Sequence, residues 1–154
     1  MTERSTKHAT LTIERTFAAT PARVFAAYAD VKSKARWFVG PEGWEKSNLK
    51  LDFKVGGRES VSGGPPGGGP IHYYDALYQD IVPDQRIVLT YEMHMDKIRI
   101  SVSLGTTEFK RAGAGTRLVY TEQAVFLDGY DDAGSRERGT RGLFDQLATF
   151  LEKQ

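Results

Sequence analysis

Apolar and polar positions begin to alternate at Thr10. Leu11, Ile13, Arg15 and Phe17 fall on one face and Thr12, Glu14 and Thr16 on the other, which predicts a half-buried strand. Thr20-Pro21 supplies an N-cap followed by proline in the first helical turn, and Val24, Phe25 and Tyr28 recur at helical spacing. Asp30 is placed to cap a second short helix running through Ala35 to Trp37. After the breaks at Gly40, Pro41 and Gly43, Lys46 to Phe53 alternates again, with Leu49, Leu51 and Phe53 on one face, and predicts a second strand.

Gly56-Gly57 reads as a tight turn into a strand around Arg58 to Ser62. Gly63 to Pro70 then holds five glycines and three prolines in eight residues and is expected to form a flexible loop, a candidate lid. Ile71 to Val82, Arg86 to Met95, Ile98 to Lys110 and Thr116 to Phe126 are rich in β-branched and aromatic residues. They are separated by Pro83-Asp84-Gln85, Asp96-Lys97 and Arg111 to Gly115. Strands that follow one another through short turns specify an antiparallel meander. Past Asp128-Gly129, with Asp131 or Asp132 as cap, Thr140, Leu143, Leu147, Phe150 and Leu151 share one face of a last helix, and Arg136, Arg138, Arg141, Asp145 and Glu152 are expected to point elsewhere. The expected architecture is α+β: a curved antiparallel sheet of about six or seven strands around a long C-terminal helix, with two short helices after the first strand. One domain spans 1–154, its first nine residues flexible.

Strand parity points to a site. In Arg86 to Met95 the odd positions Ile87, Leu89, Tyr91, Met93 and Met95 are apolar. In Ile98 to Leu104 the even positions are, and the parity switches across Gly105, which predicts a bulge there. In Thr116 to Phe126 the inward even face carries Leu118, Tyr120, Ala124 and Phe126 together with Glu122. A buried carboxylate requires a partner or a raised pKa, so Glu122 either pairs with an Arg such as Arg58, or a Tyr, or meets a ligand. Gly139 and Gly142 each cost the last helix roughly 0.5–1 kcal/mol relative to alanine, and either close helix–sheet approach or space beside a cavity would compensate.

Composition narrows the function classes. Twenty-one Lys and Arg against 20 Asp and Glu leave a net charge of +1 with no basic run, so nucleic acid is not an expected partner. No apolar stretch approaches a membrane span, no signal core is visible, and the cytoplasm is the default compartment. Cysteine is absent, and His8, His72 and His94 lie apart without metal-ligand spacing, so no metal is expected. The glycines of 63–69 lack the Lys-Ser/Thr ending of a phosphate loop and no Gly-x-Ser-x-Gly elbow occurs, so no cofactor is expected either.

Several segments carry a family resemblance. Thr16-Phe17 followed by Ala19 to Phe25, and Trp37-Phe38, resemble the opening of the START-like helix-grip fold. Asp52-Phe53-Lys54-Val55-Gly56-Gly57-Arg58 is similar to the Asp-x-Arg-x-Gly-Gly-Arg turn of the branch named after the activator of the 90-kDa heat-shock-protein ATPase, with lysine for the middle arginine. Pro83 to Tyr91 is similar to its Pro-x-x-Arg-Leu-Val hairpin, and Gly115-Thr116-Arg117-Leu118 to its Gly-Thr-Arg-Leu segment. The resemblance implies a cavity between sheet and final helix for a small hydrophobic molecule, as in polyketide cyclase-like and lipid-transfer proteins. The branch name implies a chaperone partner.

Three readings follow. The first is a non-enzymatic binding protein with Trp37, Tyr91, Met93, Tyr120, Phe126 and Phe144 as walls and Glu122 or Arg58 as polar anchors. The second is a cyclase- or hydrolase-type enzyme using Glu122 as acid or base. The third is a chaperone-regulating interaction module. A homodimer is expected only on the general frequency of closed two-fold assemblies.

Overall fold

The computed structural model describes residues 3–153. Its elements follow in the order β1 (Thr6–Phe17), α1 (Pro21–Ala29), α2 (Val31–Trp37), β2 (Glu45–Lys46), β3 (Lys50–Leu51), β4 (Arg58–Gly64), β5 (His72–Val82), β6 (Arg86–Met95), β7 (Ile98–Ala112), β8 (Gly115–Leu127) and α3 (Ala133–Glu152). All pairings are antiparallel, in the order β1-β8-β7-β6-β5-β4-β2, with β3 also on β4. This is the helix-grip arrangement, with eight strands where six or seven were expected. No helix among the described residues is long and apolar enough to cross a membrane.

Local chemistry sets the boundaries. Thr20 Oγ1 accepts the Arg23 N–H at the start of α1 with Pro21 in its first turn, Asp30 accepts the Ser33 N–H at the start of α2, and Asp132 accepts the Ser135 N–H at the start of α3. Asp84, Asp96 and Asp128 adopt positive φ at three strand ends, where aspartate tolerates the left-handed region better than most residues. Thr6 to Ala9, expected within a flexible end, pair with β8 from Leu127 to Ala124.

Two strand expectations are corrected. Lys46 to Phe53 is not one strand: it pairs with β4 only at Glu45–Lys46 and Lys50–Leu51. Between them the Ser47 hydroxyl accepts the Ser62 N–H at 2.8 Å, so a side chain takes the place of a ladder bond. The parity switch in β7 lies at Ile100, not Gly105. Met93 pairs with Ser101 and His94 with Arg99, which leaves Ile100 as the extra residue of a bulge. From there the inward face is Ser101, Ser103, Gly105, Thr107 and Phe109, all buried, while Val102 turns outward.

The core fills the concave side of the sheet. Ile13, Phe17, Phe109 and Leu118 from the strands meet Val24, Phe25 and Tyr28 from α1, Trp37 from α2 and Phe144, Leu147 and Phe150 from α3. Phe109 is met edge-on by Phe25 and Tyr28 at 5.5 and 5.3 Å, and the Trp37 indole donates to the Ala27 carbonyl at 2.9 Å. Arg15, on the apolar face of β1, reaches Asp145 of α3 at 2.7 Å. This packing anchors the C-terminal half of α3; its N-terminal half stands off the sheet.

Candidate functional site

Where α3 stands off, it leaves a cavity of about 860 Å³ between the sheet, α2 and the 39–44 segment. The inward faces of β5 and β6 supply Tyr74, Tyr78, Leu89, Tyr91 and Met93 to its wall, and α3 supplies Arg136, Leu143 and Phe144. Gly139 and Gly142 also line it. A Cβ added at either would meet nothing within 4 Å, so these glycines mark open space, and the close-approach alternative falls away. The Gly-rich 65–70 loop is not part of the wall: Gly69 packs on Pro65 so closely that a Cβ would lie 2.3 Å from the ring. That contact replaces the expected floppy lid with a folded-back turn, and the mouth is edged by the exposed residues Gly40 to Gly43.

Behind one wall lies Glu122, with no solvent exposure. Its Oε2 receives the Tyr91 hydroxyl, the Ser103 hydroxyl and Arg136 Nη1, each at 2.7 Å, and its Oε1 receives the Tyr120 hydroxyl at 2.8 Å. Four donors thus hold the carboxylate, three of them on Oε2 and one on Oε1. Arg136 continues the network through Nη2 to Ser101 Oγ at 2.7 Å and Asp131 Oδ2 at 3.0 Å, its plane near the Phe126 ring. Burial works against the charge of Arg136, but Tyr91, Glu122 and Asp131 outweigh it and hold the guanidinium firmly protonated. Gly105, opposite Glu122 in the ladder, makes room for this arrangement: a Cβ there would sit 3.1 Å from the Tyr120 hydroxyl oxygen.

A second buried ionic centre occupies the other side. Lys34 of α2 and Glu59 of β4 pair at 2.7 Å, with side chains 4% and 0% exposed, and the Tyr78 hydroxyl donates to the same carboxylate oxygen. Glu59 Oε2 has no partner among the described residues. The Lys34 ammonium lies 4.6 Å from the Phe38 ring centroid and 5.7 Å from that of Tyr28. Burial, then the nearby Glu59 charge, push the hydroxyls of Tyr28, Tyr74 and Tyr78 above the ordinary tyrosine value. Burial first and Glu122 among the further causes do the same for Tyr91 and Tyr120.

Of the residues singled out from the sequence, Trp37, Tyr91, Met93, Tyr120 and Phe144 line the cavity. Glu122, Phe126 and Arg58 do not. Glu122 and Phe126 lie one layer deeper, screened by Tyr91, Tyr120 and Arg136. Arg58 faces solvent because the alternation of β4 turns Glu59, the next residue, inward. The partner of Glu122 is Arg136, which was expected to point away from the apolar stripe. It stands four residues before Thr140 and seven before Leu143, on their face of the helix, and that spacing was the available signal. Lys34, three residues before Trp37, carried a comparable signal.

The Asp52-to-Arg58 motif is a turn and not part of the site. Asp52 N–H donates to the Arg58 carbonyl at 2.9 Å, and Gly56 and Gly57 exchange backbone bonds with Tyr78 at 2.9 and 3.0 Å. Gly57 admits no side chain, since a Cβ would fall 2.1 Å from the Asp52 carbonyl oxygen. The motif thereby fixes the strand that presents Glu59. No group of three or more potential metal ligands occurs among the described residues.

Residues 18–152 match the family described as Activator of Hsp90 ATPase homolog 1-like protein. A solved structure from Rhizobium leguminosarum is 46% identical over 99% of this chain and 100% of its own, with a TM-score of 0.94. One from Rhizobium loti is 49% identical over 95% of this chain and 99% of its own, at 0.86. An AHSA1-like protein from Aeromonas hydrophila, 18% identical over 94% of this chain and 93% of its own, shares the fold at 0.72. No curated protein matches the chain.

Proposed function

Because the chain belongs to the Activator of Hsp90 ATPase homolog 1-like family, a branch of the START-like superfamily, we propose that it is a binding protein for a small apolar or aromatic molecule, held between the sheet and α3. The observation that carries this reading is the cavity of about 860 Å³, a size suited to a small-molecule ligand, with two helical glycines opening onto it. Folding tolerates the helix penalty of Gly139 and Gly142 at positions where larger side chains would enter the cavity. Aromatic rings and Met93 supply walls that accept varied shapes.

Binding is favoured over acid–base chemistry at Glu122. A general base must reach its substrate, and Glu122, held by four donors, has no face on the cavity.

The test is native mass spectrometry of protein purified from its own host, with organic extraction of anything bound and a thermal-shift screen of apolar and aromatic compounds. A co-purifying hydrophobic molecule, or stabilisation that grows with compound concentration, is the expected result. A clean apo mass with no thermal shift across the panel would overturn the reading and shift attention to an interaction module.

A further inference from the structure

Five tyrosines line the cavity: Tyr28, Tyr74, Tyr78, Tyr91 and Tyr120. Three donate to carboxylates, Tyr78 to Glu59 and Tyr91 and Tyr120 to Glu122. Tyr74 has no hydrogen bond among the described residues. Its ring is held by Phe38 at 5.0 Å and Tyr91 at 4.9 Å, on the inward face of β5. Burial first, and Glu59 and Glu122 among the further causes, hold its hydroxyl well above the ordinary tyrosine value, so it remains a donor. Tyr28 also has no hydrogen bond among the described residues, but it is 8% exposed and packs edge-on to Trp37 at 4.8 Å.

The two ionic centres are each matched internally: Lys34 is paired with Glu59, and Arg136 with Glu122 and Asp131. A neutral oxygen acceptor can accept a hydrogen bond from Tyr74 without disturbing either centre.

Resting on the ligand-binding reading, we infer that the cavity holds an apolar molecule that presents one hydrogen-bond acceptor, a carbonyl, ether or phenolic oxygen, to the hydroxyl of Tyr74.

Two probes of nearly one shape separate the contributions, 2-acetylnaphthalene and 2-ethylnaphthalene, titrated into the full chain by protein-observed NMR. Tyr74→Phe, which keeps the ring contacts, is expected to weaken the acetyl compound about tenfold and leave the ethyl compound unchanged. A Tyr74→Phe effect shared by both probes would overturn the inference. A loss carried by Tyr28→Phe instead would remove Tyr74 from the contact. Failure of both probes to bind the folded chain would remove the ligand-binding reading itself, and the inference with it.

Discussion

Arg136 Nη1 lies 2.7 Å from Glu122 Oε2, joining the first turns of α3 to the centre of β8 across 14 residues of chain. Both groups are largely removed from water, at 10% and 0% exposure. The pair is therefore an attachment for the half of α3 that the hydrophobic core does not hold. It closes one end of the cavity, while a Cβ added at Gly139 or Gly142 would meet nothing within 4 Å.

Arg136→Ala is expected to destabilise the fold by about 3–5 kcal/mol, because it leaves Glu122 buried with an unmatched charge. Glu122→Gln should soften the loss when added to Arg136→Ala, since an amide needs no counter-charge. Urea melts of the two single variants and the double variant measure the coupling. Simple additivity would show that the pair is not the attachment described.

Gly139→Ala and Gly142→Ala should each raise stability by about 0.5–1 kcal/mol, because the added methyl enters open space and the helix loses a flexible residue. Gly142→Leu should instead project into the cavity and abolish binding of 2-acetylnaphthalene while the chain stays folded. Denaturant midpoints for the alanine variants and NMR titration of the leucine variant check both. Destabilisation by alanine would mean that the helix presses on the sheet at these positions.

The five cavity tyrosines make stability fall at alkaline pH. Their folded values are raised above the ordinary 10.0. Stabilisation from the raised values is complete below pH 10, where both states keep their protons. Above pH 10 the unfolded chain releases protons that the folded chain retains, and stability drops by about 1.4 kcal/mol per pH unit for each such group until the folded values are reached. Denaturation at pH 9, 10 and 11, followed by circular dichroism and by tyrosinate absorbance, should show the absorbance of these tyrosines appearing together with unfolding. Their gradual ionisation in a chain that keeps its circular dichroism would contradict the burial described.

β7 alternates regularly in sequence and still departs from its pattern in the fold. In β7 the hydrophobic residues Val102 and Leu104 suggested one inward face, yet Ser101 and Ser103 point inward because the Arg136 network needs hydroxyls there. Parity reading assumes that buried means apolar, and it fails where a buried ion pair requires polar neighbours. The same assumption sent Arg136 to solvent on paper, although its spacing from Thr140 and Leu143 placed it on the helix stripe.

Local rules were enough to determine the order of elements, the capped helix starts, the hairpin turns and the inward direction of Tyr91, Tyr120 and Glu122, because alternation, caps and turn residues act within a few positions of the chain. Which residue answers Glu122, that Glu59 and Lys34 form a second buried pair, and that Tyr74 lines the cavity beside Tyr91 were decided only when β4, β5, β6, β8, α2 and α3 met. Those outcomes depend on distances between groups far apart in sequence, set by the curvature of the sheet and the angle at which α3 leaves it, and no periodicity along the chain encodes them.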